Sequence, residues 1–287
     1  MNDETKHALG DAIDKTVEVA EETVQRPGVK KLARLGFYTK GFLFIVIGVL
    51  AILLVVGLDG GKLADATGAL AAVAQQPFGK VILLVFIAGA IGHGIWNILR
   101  GAGDVDDAGT GWQGIIKRSV AIGLGIFYLG LAASATEIVI AARVSATSSQ
   151  AEETFTSILL AIPLGAVLMV LIGLSLMGAG VNECYSGFTG KFRENYRMWE
   201  IKGYQHSFIN ALGVLSFTAR ALLLVMTGYF FVHAAFSSEP GGSIGLDAVL
   251  LTLLKSSYGR ILVLLTAVGL VCHGILAFYE AKYRRIC

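Results

Sequence analysis

The chain has 287 residues, of which only 15% are charged, and a formal net charge of +2. A soluble globular chain has roughly 25% charged residues, and the mean hydropathy here is +0.69, so the composition excludes an ordinary soluble domain. The basic residues gather at the ends of apolar segments, which argues against a nucleic-acid-binding surface, and no nucleic-acid partner is expected.

Six segments free of Asp, Glu, Lys and Arg are long enough to cross a bilayer. Each has about 18 residues or more, which at 1.5 Å per residue spans most of a roughly 30 Å hydrocarbon core. They run over residues 41–58, 81–99, 119–136, 154–182, 221–238 and 261–279. Backbone groups in lipid need internal hydrogen bonds, and the alternation of a β-barrel is absent. The sequence therefore predicts an all-α integral membrane protein with six transmembrane helices.

The distribution of Lys and Arg predicts the orientation of these helices. Most of them lie before the first span, between the second and third, between the fourth and fifth, and after the sixth. The opposite side carries only Lys62, Lys80, Arg143, Lys255 and Arg260. By the positive-inside rule, both termini are expected in the cytoplasm.

The first and last thirds of the chain are copies of one another. Residues 180 positions apart match without gaps, and the matches include glycines, basic residues at helix starts and a histidine. Examples are Lys40 and Arg220, Gly48 and Gly228, Gly79 and Gly259, Gly89 and Gly269, and the triplets that begin at His93 and His273.

The middle third aligns in two registers. Its second helix lies 86 positions after that of the first copy, as Gly79 and Gly165 illustrate. Its first helix is aligned at 77 positions, which pairs Gly48 with Gly125 and leaves a nine-residue difference in the external loop that contains Arg143.

The repeat divides the chain into four parts. Residues 1–29 form an acidic, amphipathic N-terminal segment, residues 30–107 the first hairpin, residues 108–203 the second hairpin with a cytoplasmic loop, and residues 204–287 the third hairpin. Because each hairpin has two spans, all three enter the membrane from the same side. Such parallel repeats are related by an axis along the membrane normal, here a pseudo-threefold axis.

The repeated residues also resemble a known family. The run from Arg34 to Gly41 leads into a helix with Gly48, Pro77-Phe78-Gly79 and Gly89 follow, and the pattern returns around Arg220. In this the chain is similar to the bacterial membrane family called domain of unknown function 1206, whose members carry a paired-helix unit three times. The resemblance covers about residues 30–285. It implies a bacterial cytoplasmic (inner) membrane location and supplies no activity.

Polar residues inside the spans are the candidate functional site, because such residues are costly in lipid. They recur on one face of the second helix of each hairpin, and we expect this face of helices two, four and six to point into the bundle. The candidates are His93, Trp96, Asn97 and Arg100 in the first hairpin, Glu183 in the second, and His273 and Glu280 in the third.

Three interpretations of these residues stay open. The histidines can fix helix packing by donating to backbone carbonyls. With Glu183 they can form a proton or ion pathway, since imidazole titrates near neutral pH. His93 and His273, at matching depth, can also ligate a haem; apart from that haem, no cofactor or metal is expected.

Two cytoplasmic segments are candidates for binding a membrane protein partner. In the N-terminal segment, Leu9, Ile13 and Val17 follow helical spacing among acidic residues. Residues 185–206 form the longest cytoplasmic loop, which we predict to be an amphipathic interfacial helix.

The sequence lacks the residue patterns of the common catalytic motifs. It contains no H-E-x-x-H, G-x-S-x-G, Walker A or C-x-x-C pattern, so we expect no enzymatic activity. The predicted function is a structural or accessory subunit that associates with other membrane components. The alternatives are a small-solute, ion or proton permease lined by helices two, four and six, and a haem-binding membrane protein.

Overall fold

The computed structural model describes residues 27–57, 66–104, 109, 111–141, 157–236, 246–255 and 258–284. Its helices are α1 Pro27–Val56, α2 Ala66–Ala74, α3 Gly79–Ala102, α4 Trp112–Ala141, α5 Gly165–Thr189, α6 Gly203–Phe236, α7 Leu246–Leu254 and α8 Gly259–Tyr283. The proposed amphipathic stretch around Leu9 and Val17, and the loop residue Arg143, lie outside the described residues.

Six of these helices are long and apolar enough to span a membrane, which confirms the predicted number of spans. They are α1, α3, α4, α5, α6 and α8, with mean hydropathies between 1.8 and 2.6 over their most apolar windows. Helix α8 is the most buried of the six, with 56% of its most apolar window inside the protein, and α5 is the least buried, with 22%. With six spans, α1 begins and α8 ends on the same side of the bundle, called here the terminal side; the other is the distal side.

On the distal side, one turn recurs at the start of the second helix of every hairpin. Gly79, Gly165 and Gly259 each begin that helix, and each lies directly against the carbonyl of a residue six positions earlier, in Val73, Leu159 and Leu253. A side chain would collide with backbone there. Glycine therefore recurs at this position because the turn leaves no space for a side chain.

The three hairpins are joined by one repeated interface. The second helix of each hairpin packs against the first helix of the next, so α3 lies against α4, α5 against α6, and α8 against α1. Gly94, Gly180 and Gly274 occupy equivalent places in these interfaces, and each contacts a small residue and an apolar residue four positions later. The contacted pairs are Gly125 and Leu129 for Gly94, Ala221 and Val225 for Gly180, and Gly41 and Ile45 for Gly274. This repetition is the pseudo-threefold arrangement predicted from the sequence.

The same contacts correct the predicted alignment of α4. Gly125 takes the place of Gly41, so it does not correspond to Gly48 as the offset of 77 required. The place of Gly48 belongs to Ala132, a residue that is 3% exposed. The predicted nine-residue difference in the loop near Arg143 depended on the offset of 77, so that prediction is also wrong.

The pseudo-threefold ring is open at one position. Helices α1 and α3 pack together within the first hairpin, and α6 and α8 within the third, whereas in the described residues α4 and α5 of the second hairpin do not pack side by side. In the first hairpin the contact depends on Gly36 against His93 and Gly89 against Thr39. The second hairpin has Val120 and Ser175 at the places of the two glycines, so it lacks both of these glycine contacts.

The connector, residues 190–202 between α5 and α6, is not the single amphipathic helix that we predicted. Gly190 ends α5 in the left-handed region with φ of 71°. Two 3₁₀ turns follow, Lys191–Asn195 and Met198–Glu200, separated by extended backbone at Tyr196. Phe192 and Tyr196 are buried against the protein, at 4% and 2% exposure, so they do not face lipid.

We predict that Gly259→Ala destabilises the protein, because the new Cβ would run into the Leu253 carbonyl and lie 2.8 Å from the Leu254 carbonyl carbon. Overpacking of this kind costs about 1–3 kcal/mol, visible as a lower unfolding temperature of the purified protein in detergent. Gly130→Ala is the matched control, since nothing lies within 4 Å of its Cβ position. Equal unfolding temperatures for the two variants would contradict the steric argument.

Candidate functional site

Four of the seven candidate residues lie inside the bundle. His93, Trp96 and Asn97 on α3 are 5%, 3% and 3% exposed, and His273 on α8 is 2% exposed. Arg100, Glu183 and Glu280 are partly exposed and lie nearer the terminal side, on α3, α5 and α8 respectively.

His93 is held by aromatic rings from two neighbouring helices. The rings of Phe37 and Tyr128 meet the imidazole edge-on, with centroids at 5.1 Å and 4.5 Å. The backbone of Gly36 leaves room for the ring on a third side. Asn97 Nδ2 donates to the His93 carbonyl at 2.8 Å, and His93 Nδ1 is buried without a hydrogen-bond partner among the described residues.

His273 occupies the equivalent place in the third hairpin and has different neighbours. A hydrogen bond of 2.7 Å joins its Nδ1 to Ser216 Oγ, and Ser216 stands where the first hairpin has Gly36. The Phe44 ring meets the imidazole edge-on at 4.6 Å. Nε2 is buried without a partner in the described structure. The two histidines are thus equivalent in position and distinct in hydrogen bonding.

A basic side chain bridges each of the three interfaces between hairpins on the terminal side. Lys40 Nζ lies 3.0 Å from Glu280 Oε2 between α1 and α8. Arg220 lies 3.0 Å from Glu183 between α6 and α5. Between α4 and α3, Arg118 donates to the carbonyls of Gly101 and Ala102 at 2.7 Å and 2.8 Å. Glu280 and Glu183 therefore have partners that hold neighbouring hairpins together.

Glu280 is the point at which the three hairpins meet. Besides Lys40 it pairs with Arg284 at 3.5 Å, and the Arg284 guanidinium lies over the Phe37 ring, 5.1 Å from its centroid. Tyr196 of the connector approaches the same carboxylate. Burial, and secondarily the Glu280 carboxylate, hold the pKa of Tyr196 well above its usual value.

The connector is also bound to the end of α8 through its backbone. Tyr196 and Arg284 form an isolated antiparallel bridge, and the Arg197 amide donates to the Tyr283 carbonyl at 2.8 Å. Neither Tyr196 nor Arg284 was predicted as a site residue. Tyr196 lies in the 185–206 loop that we predicted to be an interfacial helix, and Arg284 is one of the basic residues after the sixth span that were used only to predict orientation.

This arrangement offers few groups for metal chemistry. Within the described ranges, no three His, Cys, Asp or Glu side chains come together as potential metal ligands. Haem ligation by His93 and His273 stays a prediction. What the geometry provides is a band of buried polar atoms, including the Trp96 indole nitrogen and a Glu183 oxygen, that have no hydrogen-bond partner in the described structure.

Comparison with known proteins identifies the family. A family model described as Domain of Unknown Function (DUF1206) matches the chain three times, over residues 35–104, 120–190 and 215–284. The chain belongs to this family. The first two matches begin at residues 35 and 120, close to the spacing that equates Gly41 with Gly125 in the DUF1206 repeat.

The chain is also similar to an uncharacterized protein, YxxB, of Bacillus subtilis (strain 168). The two are 26% identical over 269 residues, which cover 94% of this chain and 95% of the relative. No solved structure matches the chain. As a member of DUF1206, the chain is therefore a membrane protein with three repeats, and its function is unknown.

We predict that Glu280→Gln lowers the stability, because Lys40 and Arg284 would lose the carboxylate that they share. Removing one partner of a fully buried pair costs about 3–5 kcal/mol; these side chains retain some solvent contact, so we expect about 2–4 kcal/mol. Thermal unfolding in detergent measures the change. The control is Glu200→Gln, whose exposed pair with Arg197 should be worth less than about 1 kcal/mol. A smaller loss for Glu280→Gln than for Glu200→Gln would contradict this prediction.

Proposed function

We propose that this protein is a non-enzymatic accessory component of a bacterial inner membrane, and that it binds a transmembrane helix of a partner protein between α4 and α5. The observation that carries the proposal is the open position in the ring. Among the described residues, the helix faces that the first and third hairpins bury within themselves are not packed against each other in the second hairpin.

We call these faces the open face and define it by eight exposed residues. On α4 they are Ser119, Val120, Gly123 and Phe127, and on α5 Ser175, Gly178, Ala179 and Asn182. The repeat relates Val120 to Gly36 and Ala179 to His93, two residues that contact each other in the first hairpin. The open face is thus the counterpart of a buried helix interface.

The residues of the open face suit a helix as occupant. No atom lies within 4 Å of a Cβ built on Gly123 or Gly178, so there is space for close approach. Small residues are typical of helix interfaces in membranes, where van der Waals contact and interhelical hydrogen bonds drive association. Asn182 is exposed near the terminal end of α5, where its amide can hydrogen-bond a partner helix.

A permease is the second candidate, and the buried polar atoms favour it. His93 Nδ1 and His273 Nε2 are buried without partners in the described structure, as water or a transported proton would require. Against this, the ion pairs Lys40 with Glu280 and Arg220 with Glu183 occupy the terminal ends of the same helices, where a pathway needs an opening. We therefore rank the accessory role first.

The test compares a bulky residue on the open face with one on a lipid-facing surface of similar exposure. We expect Val120→Trp to abolish co-purification of a stoichiometric partner in mild detergent, because the indole would fill the space for the partner helix. Leu265→Trp should leave co-purification unchanged, since Leu265 on α8 is 58% exposed and Val120 is 57% exposed. A photoreactive residue at Ala179 should cross-link the same partner, identified by mass spectrometry.

Other results would overturn the proposal. Lipid adducts alone at Ala179, or an adduct with a second copy of this chain, would contradict a partner helix at the open face. A proton or solute flux in liposomes that disappears in His93→Ala and His273→Ala would support the permease instead, with His206→Ala in the first turn of α6 as the control.

We also propose that the terminal side faces the cytoplasm. Support comes from Lys and Arg, which are concentrated at the terminal side and sparse in the loops of the distal side. An alkaline phosphatase reporter fused at Gly61, between α1 and α2 in sequence, should be active because it would reach the periplasm. A fusion at Lys202 in the connector should be inactive, and the reverse pattern would contradict this orientation.

A further inference from the structure

A cleft of about 630 Å³ lies where the connector leaves the terminal end of α5. Its lining includes Tyr185 and Thr189 from the last turns of α5, and Lys191, Arg193 and Trp199 from the connector. We call it the interfacial cleft. None of its lining residues belongs to the open face.

The surroundings of the cleft are those of a membrane–water boundary. Tyr185, Phe188, Trp199 and Tyr204 are 59%, 68%, 68% and 75% exposed around the end of the α5 span. Aromatic side chains, Trp and Tyr above all, are enriched at this depth, where the ring meets the acyl boundary and the polar group meets headgroups. The interfacial cleft therefore opens at the level of lipid headgroups.

The Arg193 guanidinium of the cleft is held beside Gly190. Arg193 Nε donates to the Gly190 carbonyl at 3.2 Å, and the guanidinium lies over Gly190 so closely that any Cβ at residue 190 would collide with it. The left-handed φ of 71° at Gly190 turns the chain toward the cleft. Lys191 is exposed beside it, and Glu194 is the carboxylate on the lining.

We propose that the interfacial cleft binds the phosphate group of an anionic phospholipid. Lys191 and Arg193 contact the phosphate, and Trp199 and Tyr185 pack against the glycerol and upper acyl region. The connector as a whole favours an anion, because Lys191, Arg193, Arg197 and Lys202 outnumber Glu194 and Glu200 within it. A lipid, and not a soluble phosphate, explains why exposed aromatic rings accompany the cations.

Native mass spectrometry of the delipidated full-length protein tests the proposal. The protein is titrated separately with phosphatidylglycerol, phosphatidylcholine and inorganic phosphate. We expect a saturable phosphatidylglycerol adduct, and a roughly fivefold weaker affinity for it in Lys191→Gln, since a basic residue near the headgroups contributes about 1 kcal/mol. The double variant Lys191→Gln with Arg193→Gln should weaken it by about 30-fold.

The control is the pair Lys31→Gln with Lys117→Gln, which removes the same charge from two exposed lysines on the terminal side. It should leave the affinity for phosphatidylglycerol unchanged. Equal binding of phosphatidylcholine, or an equal loss in the control, would overturn the proposal. Binding of inorganic phosphate in place of the lipid would do so as well. The single Lys191→Gln variant leaves the Arg193 hydrogen bond intact, so its result does not depend on the connector refolding.

Discussion

The structure depends on the contact of glycine with backbone between successive hairpins. Lipid tails are as apolar as the helices, so helix association in a membrane needs close van der Waals packing and interhelical hydrogen bonds instead of a hydrophobic driving force. At the contacts of Gly94 with Gly125 and of Gly274 with Gly41, the lack of a side chain lets two backbones approach directly. Repeated three times, this contact sets the order of the helices and the height of each hairpin relative to the next.

The contacts inside each hairpin are less uniform, and their differences give the molecule its individual features. Gly36 accommodates His93, Ser216 instead hydrogen-bonds His273 at 2.7 Å, and Val120 has no such contact. One repeated scaffold thus produces a packed imidazole, a hydrogen-bonded imidazole and an unpacked helix face. The three copies therefore differ at positions inside each hairpin, such as Gly36, Val120 and Ser216, and share the interface between hairpins.

Much of this fold could be predicted because it depends on local pattern. Charge-free segments predict spans, and the recurrence of His93 as His273 predicts equivalent helices. The predicted alignment of α4 was wrong by seven residues, which is about two helical turns. Both alignments therefore place Gly125 on the same helix face, and the glycine pattern does not distinguish them. The contact of Tyr196 with the Glu280 region was beyond prediction, because it depends on how a connector folds back onto a helix end far along the chain.

The pairing of Lys40 with Glu280 joins residues 240 positions apart, and this separation has a consequence for biogenesis. Helix α1 enters the membrane first and α8 last, so Lys40 lacks its carboxylate throughout most of synthesis. A nascent chain that stops before α8 therefore keeps the Lys40 ammonium group without this partner at the terminal end of α1. Such a truncated product lacks the ion pair that joins the first hairpin to the third, so the last helix completes the charge balance of the first.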